Sequence, residues 1–387
     1  MAKTSPAKDS SPLQYDDRWQ QSAWRSKIRR RLLDWFAQNA RTMPWRSDPQ
    51  PYYVWVSEIM LQQTQVATVL PYFDRFIQSF PTVEKLAAAD EADLMRHWEG
   101  LGYYRRARSL HAAAKLIVTE HGGEFPLAYE DVLALPGIGR YTAGAILSIS
   151  QGQRLPILEG NTLRVFSRWI SLRQPPTDKQ ANTLLWQLSE KMLPQLDPGR
   201  FNQAAMELGA LICTPRTPAC DRCPVQSLCS AHRDDLQVVI PGKVTKIKYE
   251  DRTEFALVVT KPTTTKNAEP QFLMQPLPEG ARWSGLWDFP RPTDQVFESV
   301  HGVGDWLAET LGRPIKTGLR LKTIRHAVTK YRISLHVHTA TVAASRKKLP
   351  QPWQFVSLSE MADLPMSVTG RQVCKFLHSD KQAHLEF

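Results

Sequence analysis

Through the first 230 residues, apolar positions recur at helical spacing. Ile28, Leu32 and the Trp35–Phe36 pair mark a first helix. A second pattern opens at Pro51 and runs through Val56, Ile59, Met60, Val66, Val69 and Leu70 to Pro71, which closes or bends it. Residues 83–89 and 107–120 continue the helical texture, the latter stopped by Gly122-Gly123. A further helix ends at Leu135. A tight Pro136-Gly137-Ile138-Gly139 turn follows, and another helix starts at once. Past Cys229 the pattern changes. Residues 231–250 are polar and basic around Pro241-Gly242 and read as a linker. Strand patterns then appear at 255–259, 272–274 and, by alternation, 333–342, with one helical pattern from Val300 to Leu311 among them. The chain is predicted to be multidomain: a disordered tail over 1–24, an all-α domain over 25–230, a linker over 231–250 and an α+β domain over 251–387.

Composition narrows the partners. A net charge of +11 favours a polyanion, either nucleic acid or a membrane surface. No apolar run is long enough to span a bilayer, so an embedded role is not expected. The N-terminus lacks an apolar core and carries Asp9, Asp16 and Asp17, unlike a signal or transit peptide.

Four of the five cysteines, Cys213, Cys220, Cys223 and Cys229, follow Cys-x6-Cys-x2-Cys-x5-Cys. Four thiolates on one loop suit a cubane iron–sulfur cluster. A structural zinc site usually pairs two Cys-x-x-Cys knuckles or adds a spaced His pair, so the spacing favours iron–sulfur. The remaining cysteine, Cys374, gives no disulfide framework. Free clustered thiols point to a reducing compartment.

Two further segments carry candidate chemistry. In the Pro136-Gly137-Ile138-Gly139 turn, glycines and a helix N-terminus let backbone N–H groups approach a phosphate; an ordinary helix connection would look alike. In Ser57–Val66, a continuous helix would put Glu58, Gln62 and Gln65 on one face, an acid beside amides able to read a base edge. A solvated face usually carries lysines, yet no Lys or Arg occurs between Arg46 and Arg75. Gly102-Tyr103-Tyr104-Arg105-Arg106 fits base stacking with phosphate contact, or a basic helix start.

These pieces, in this order, resemble the MutY adenine DNA glycosylases of the endonuclease III superfamily. The likeness rests on Met43-Pro44-Trp45-Arg46, Ser57–Val66, Gly100-Leu101-Gly102-Tyr103-Tyr104, the 136–145 hairpin and the cysteine loop, and covers the chain from about residue 25. It implies a helix-hairpin-helix glycosylase domain with a [4Fe–4S] cluster, followed by a Nudix-like domain. It further implies excision of adenine mispaired with 8-oxoguanine or guanine in double-stranded DNA, after flipping the base out of the stack. A monomer, cytoplasmic and nucleoid-associated, is expected.

Residue by residue, the resemblance makes Glu58 the acid that protonates adenine N7 and then activates water. A purine leaves readily only once protonated, so a carboxyl must hold a proton near neutral pH. Glu159, in Ile157-Leu158-Glu159-Gly160-Asn161, stands where the family has aspartate beside the sugar cation. The extra methylene adds about 1.5 Å. Either the backbone compensates and activity persists, or the chain binds lesions but cleaves poorly. Tyr141 occupies the position of a Schiff-base lysine in strand-cutting relatives, and Leu163 that of another lysine. A monofunctional enzyme is therefore expected. Gln62, Gln63 and Tyr103 match residues that wedge into the duplex. Pro136, Gly137 and Gly139 match the DNA-holding hairpin. Trp45, Arg46 and Glu207 match the adenine pocket, although Trp45 also suits a core. Thr329 and Lys330 align with the Phe-Ser-His loop that contacts oxidised guanine. The helix near Trp306–Leu311 has Glu309 but no Nudix acid cluster, so no nucleotide hydrolysis is expected. The competing readings are a catalytically weak lesion-binding protein and an endonuclease III-like glycosylase/lyase.

Overall fold

The computed structural model describes residues 13–242, 249–262, 269–278, 280–292 and 295–383. They group into two compact units, Met1–Ala88 with Ser109–Thr245, and Ala89–Arg108 with Lys246–Phe387.

In the first unit, helix Ser22–Asn39 turns Ile28, Leu32 and Phe36 inward into a core that also holds Val165, Phe166 and Trp169. This is the face that the spacing predicts. Trp19 and Trp24 join the same core, and Asp16 accepts from Ser230 Oγ at 2.8 Å and Arg233 Nη1 at 2.9 Å. Residues 13–24, expected within a tail, are therefore packed. Two buried indoles offset the entropy of ordering so short a segment. Residues 1–12 of that expected tail lie outside the described residues. Within the stretch read as a linker, Ile240 is buried and its carbonyl accepts from Arg168 Nε at 2.8 Å.

The pattern from Pro51 to Leu70 proves to be two helices, Pro51–Leu61 and Val66–Ser79. The break falls at Gln63, whose φ of 58° lies in the left-handed region. Pro71 sits inside the second helix without ending it. Its lost N–H bond is outweighed by burial of Val69, Phe73 and Phe76 on that helix. The predicted common face of Glu58, Gln62 and Gln65 does not exist: only Glu58 is helical, Gln62 follows the last turn and Gln65 caps the next helix.

Helices Tyr129–Ala134 and Arg140–Gln151 flank the hairpin as expected. Helices Gly160–Trp169, Lys179–Met192 and Pro198–Leu211 lead to the cysteine loop.

Among its described residues the second unit has six strands: β1 (Glu250–Thr260), β2 (Gln271–Pro276), β3 (Trp287–Asp288), β4 (Ile315–Val328), β5 (Tyr331–Val342) and β6 (Gln354–Ser357). The order is β3-β2-β1-β5-β4, with β6 on β2. Strands β1 and β5 run parallel and the other pairs antiparallel. Strand alternation divides the core. Ala256, Val258, Ile333, Leu335 and Val337 share one cluster with Val373 and Cys374 of helix Val368–Ala383. Leu257, Val259, Ala340 and Val342 pack with Val303 and Leu307 of helix Val300–Leu311. Residues 89–108 add helix Glu91–Trp98 and the loop carrying Tyr103.

Candidate active site

Glu58 lies on the inner side of helix Pro51–Leu61 and is only 6% exposed. The neighbouring helix Arg140–Gln151 brings Tyr141 to it, whose hydroxyl donates to Glu58 Oε2 at 2.7 Å. Burial pushes the Glu58 carboxyl up to about 7; the Tyr141 hydrogen bond opposes this and nearby Glu159 adds to it. Tyr141 is itself held well above its ordinary value by burial and by the two carboxylates, so it stays a neutral donor. It also reaches Met206 Sδ at 3.4 Å.

Glu159 caps helix Gly160–Trp169. Its Oε2 accepts from the Asn161 N–H and its Oε1 from the Thr162 N–H, both at 2.8 Å, and its own N–H donates to Thr162 Oγ1. A carboxylate at a helix N-terminus is favourable, and the cap fixes where the longer side chain points. Burial still raises its pKa, against those backbone hydrogen bonds. The fold thus gathers Glu58, Tyr141 and Glu159.

Glu207, 1% exposed, meets two guanidinium groups. Arg41 Nε and Nη2 donate to it at 2.7 and 2.8 Å, the Arg41 N–H at 3.0 Å, and Arg46 Nη2 at 3.0 Å. Burial alone would raise its pKa, but these donors win and hold it at about 2. Glu207 is therefore a fixed anion, unlike Glu58. Trp45 is buried edge-on against Phe73 at 5.0 Å between centroids, a packing role. The sequence reading missed Arg41 and Met206. Arg41 lies 166 residues from its partner, and no motif spacing marks it.

At the hairpin, Gly137 has φ 80°, and a Cβ there would sit 2.6 Å from Ser109 Cβ, so both backbone and packing require glycine. A Cβ on Gly139 would meet nothing within 4 Å. Packing does not demand glycine there, whereas close approach of a ligand would. No side chain caps the helix that starts at Arg140, which leaves its first turn suited to an anion.

Seven non-glycine residues hold positive φ among the described residues. Three of them, Gln63, Tyr103 and Thr329, are candidate DNA-contact positions, and such strain concentrates at functional sites. In the second unit, Thr329 and Lys330 form the tip joining β4 to β5. Thr329 Oγ1 donates to the Val328 carbonyl at 2.8 Å, and Lys330 Nζ pairs with Glu250 at 2.7 Å.

Cys213, Cys220, Cys223 and Cys229 line one small apolar cavity with Arg168 and Trp169. Among the described residues no three potential ligands converge as a single ion would need. Thiols spaced around a cavity fit a multi-atom cluster, in which each iron takes one thiolate. Arg168 Nη1 donates to Cys213 Sγ at 3.2 Å, a cation suited to a thiolate. Burial pushes Cys223 up to about 12 and Cys229 to about 11, so metal binding would have to displace their protons.

Comparison with known proteins accounts for both units. Residues 56–191 match the HhH-GPD superfamily of base excision DNA repair proteins, 265–375 a NUDIX domain, and 213–229 the iron–sulfur binding domain of endonuclease III. The last match supports a [4Fe–4S] cluster in the cysteine loop. The chain is 36% identical over 308 residues to an adenine DNA glycosylase of Buchnera aphidicola subsp. Schizaphis graminum, covering 79% of this chain and 84% of that one. It is 38% identical over 313 residues to the adenine DNA glycosylase of Rattus norvegicus, covering 69% of this chain but only 60% of that longer relative. Among solved structures, a thermostable thymine-DNA glycosylase aligns with a TM-score of 0.50 and 26% identity, over 55% of this chain and 98% of that one.

Proposed function

The chain belongs to the adenine DNA glycosylase family, and on that footing we propose that it hydrolyses the N-glycosidic bond of adenine mispaired with 8-oxoguanine or guanine in duplex DNA. The observation that carries this is the carboxyl of Glu58, raised by burial to a pKa of about 7 and held in place by a hydrogen bond from Tyr141. At neutral pH it can give a proton and take one back. Glu58 protonates adenine N7. The C1′–N9 bond breaks with its electrons leaving on the purine, and Glu159 faces the sugar cation. The Glu58 carboxylate then takes a proton from water as the water oxygen bonds C1′, which restores the acid and leaves an abasic site. Cys213, Cys220, Cys223 and Cys229 would each hold one iron of the cluster, which serves architecture and DNA positioning. The protein acts as a monomer on DNA, at the nucleoid.

The test compares duplexes bearing A opposite 8-oxoguanine, A opposite G, T opposite G, and thymine glycol. Free adenine is expected from the first two, with strand breaks only after alkali. Cleavage of thymine glycol DNA without alkali would establish the lyase reading, against which Tyr141 stands because a phenol cannot form an imine.

One observation favours the weak-catalyst reading: both Glu159 oxygens already accept backbone N–H groups. Each keeps a second lone pair, and we propose that these face the cation. Glu159→Gln is expected to slow single-turnover excision by about 100-fold, the scale of one lost electrostatic partner. An unchanged rate would assign Glu159 to helix capping alone.

A further inference from the structure

The loop that carries Tyr103 is held from both sides. Its own backbone is left-handed at Gly100, Gly102 and Tyr103, with φ of 99°, 70° and 48°. Arg106 Nη2 donates to the carbonyls of Leu101 and Gly102, both at 3.2 Å, and the Trp98 indole donates to Gly102 as well. The Tyr103 ring is left 54% exposed, with the Arg106 guanidinium 5.6 Å from its centroid. An exposed aromatic on a strained, internally braced loop is a group presented to something outside the chain.

The base of this loop is tied to the end of the chain. Arg371, on helix Val368–Ala383, makes a fork on Glu99, with Nε to Oε1 at 2.6 Å and Nη2 to Oε2 at 2.8 Å. Two more of its N–H groups go to the carbonyls of Met361 at 2.8 Å and Leu364 at 2.7 Å, and the Met366 N–H donates to Glu99 Oε2 at 3.2 Å. A planar guanidinium engaged on both edges cannot rotate, so the carboxylate four residues before Tyr103 is fixed in place. Two further ties flank it, Arg96 to Asp363 and Arg108 to the Ser284 carbonyl.

We propose that the Glu99–Arg371 fork is a positioning device that sets Tyr103 against the duplex, so that Arg371 determines preference for the oxidised lesion. This rests on the glycosylase reading above and on Tyr103 as a duplex wedge. Nothing in the order of residues along the chain links positions 99 and 371. Their pairing gives the sheet-bearing unit a grip on a loop that belongs, by sequence, to the glycosylase match.

The experiment is a double-mutant cycle on the full chain with its cluster. It measures single-turnover excision of A opposite 8-oxoguanine and A opposite G for wild type, Tyr103→Ala, Arg371→Met and the double variant. Arg371→Met keeps the apolar stem and removes the fork. It is expected to lower the 8-oxoguanine preference about tenfold, the scale of a lost charge-assisted pair, while excision opposite G persists. The double variant should match Tyr103→Ala alone, because both changes act through one ring. Arg371→Lys, which keeps the charge but not the fork, should recover the preference only in part; it also carries the cycle if Arg371→Met fails to fold. An unchanged preference, or losses that multiply in the double variant, would overturn the proposal. If wild type excises adenine from neither duplex, the glycosylase reading is what fails. The fork is then judged by whether Arg371→Met and Tyr103→Ala weaken duplex binding equally and non-additively.

Discussion

Glu58→Gln is expected to slow adenine excision severely and, above pH 7, to make the protein more stable. The carboxyl's ordinary pKa of 4.5 becomes about 7 in the folded chain, chiefly through burial. As pH rises, the unfolded chain gives up this proton first and the folded chain holds it to about 7. The folded state therefore binds more protons across that window, and stability falls as pH climbs from about 4.5 to 7. The loss comes to about 3 kcal/mol, at 1.36 kcal/mol for each tenfold change in proton affinity. Glutamine has the same shape and can still accept from Tyr141, but it has no charge to desolvate. Denaturant melts at pH 8 should favour Glu58→Gln by up to about 3 kcal/mol, with little difference at pH 4. Single-turnover excision should drop by about 100- to 10 000-fold, the scale of a lost general acid. A variant less stable at pH 8 by as much as at pH 4 would show that Glu58 holds the fold through its contacts and is not kept protonated by burial.

Glu207→Gln should do the reverse. This carboxylate is as deeply placed, yet Arg41 and Arg46 hold its pKa at about 2, below the ordinary 4.5. The unfolded chain now takes up the proton first as pH falls. The stabilisation is fully present above 4.5 and is lost as pH drops towards 2. Its size is at most about 3 kcal/mol. The Arg41 side chain is 36% exposed, so solvent screening brings the expected loss nearer to about 2 kcal/mol. Glu207→Gln should therefore be destabilised at pH 7, and the gap to wild type should close between pH 4.5 and 2. Equal destabilisation at pH 7 and pH 2.5 would mean that the ion pairs are not its cause. The Arg46 guanidinium would also lose one of its partners, so a modest fall in excision is expected alongside.

Local pattern made much of this architecture legible. Ile28, Leu32 and Phe36 announce their shared face by spacing, and Val300–Leu311 is bounded as its apolar period predicts. The turn at Pro136–Gly139 could be read because glycine and proline restrict the backbone locally. Strand β4 escaped, because its apolar residues are interleaved with Lys316, Arg320, Lys322 and Arg325 and its register shifts between Thr317 and Lys322. The continuous helix expected through Gln62 failed for a related reason. The residues on both sides of Gln63 suit a helix, and only its left-handed backbone ends the first one. Within the site, Glu58, Tyr141 and Glu159 were readable because each stands in a recognisable motif. Arg41 and Met206 were not, because each meets a partner far away in the chain.

The sequence alone determined which residues could do chemistry: four spaced thiols, a hairpin with two glycines, and carboxyls in recognisable surroundings. It could not say which carboxyl would carry a proton. Glu58 and Glu207 share one ordinary pKa, and the tertiary structure separates them to about 7 and about 2. The reason is physical. Desolvation and charge pairing depend on what surrounds a group in space. Tyr141 lies 83 residues from Glu58, and Arg41 lies 166 from Glu207. Only folding brings a hydroxyl to one acid and two guanidinium groups to the other, and so makes one a proton carrier and the other a fixed anion.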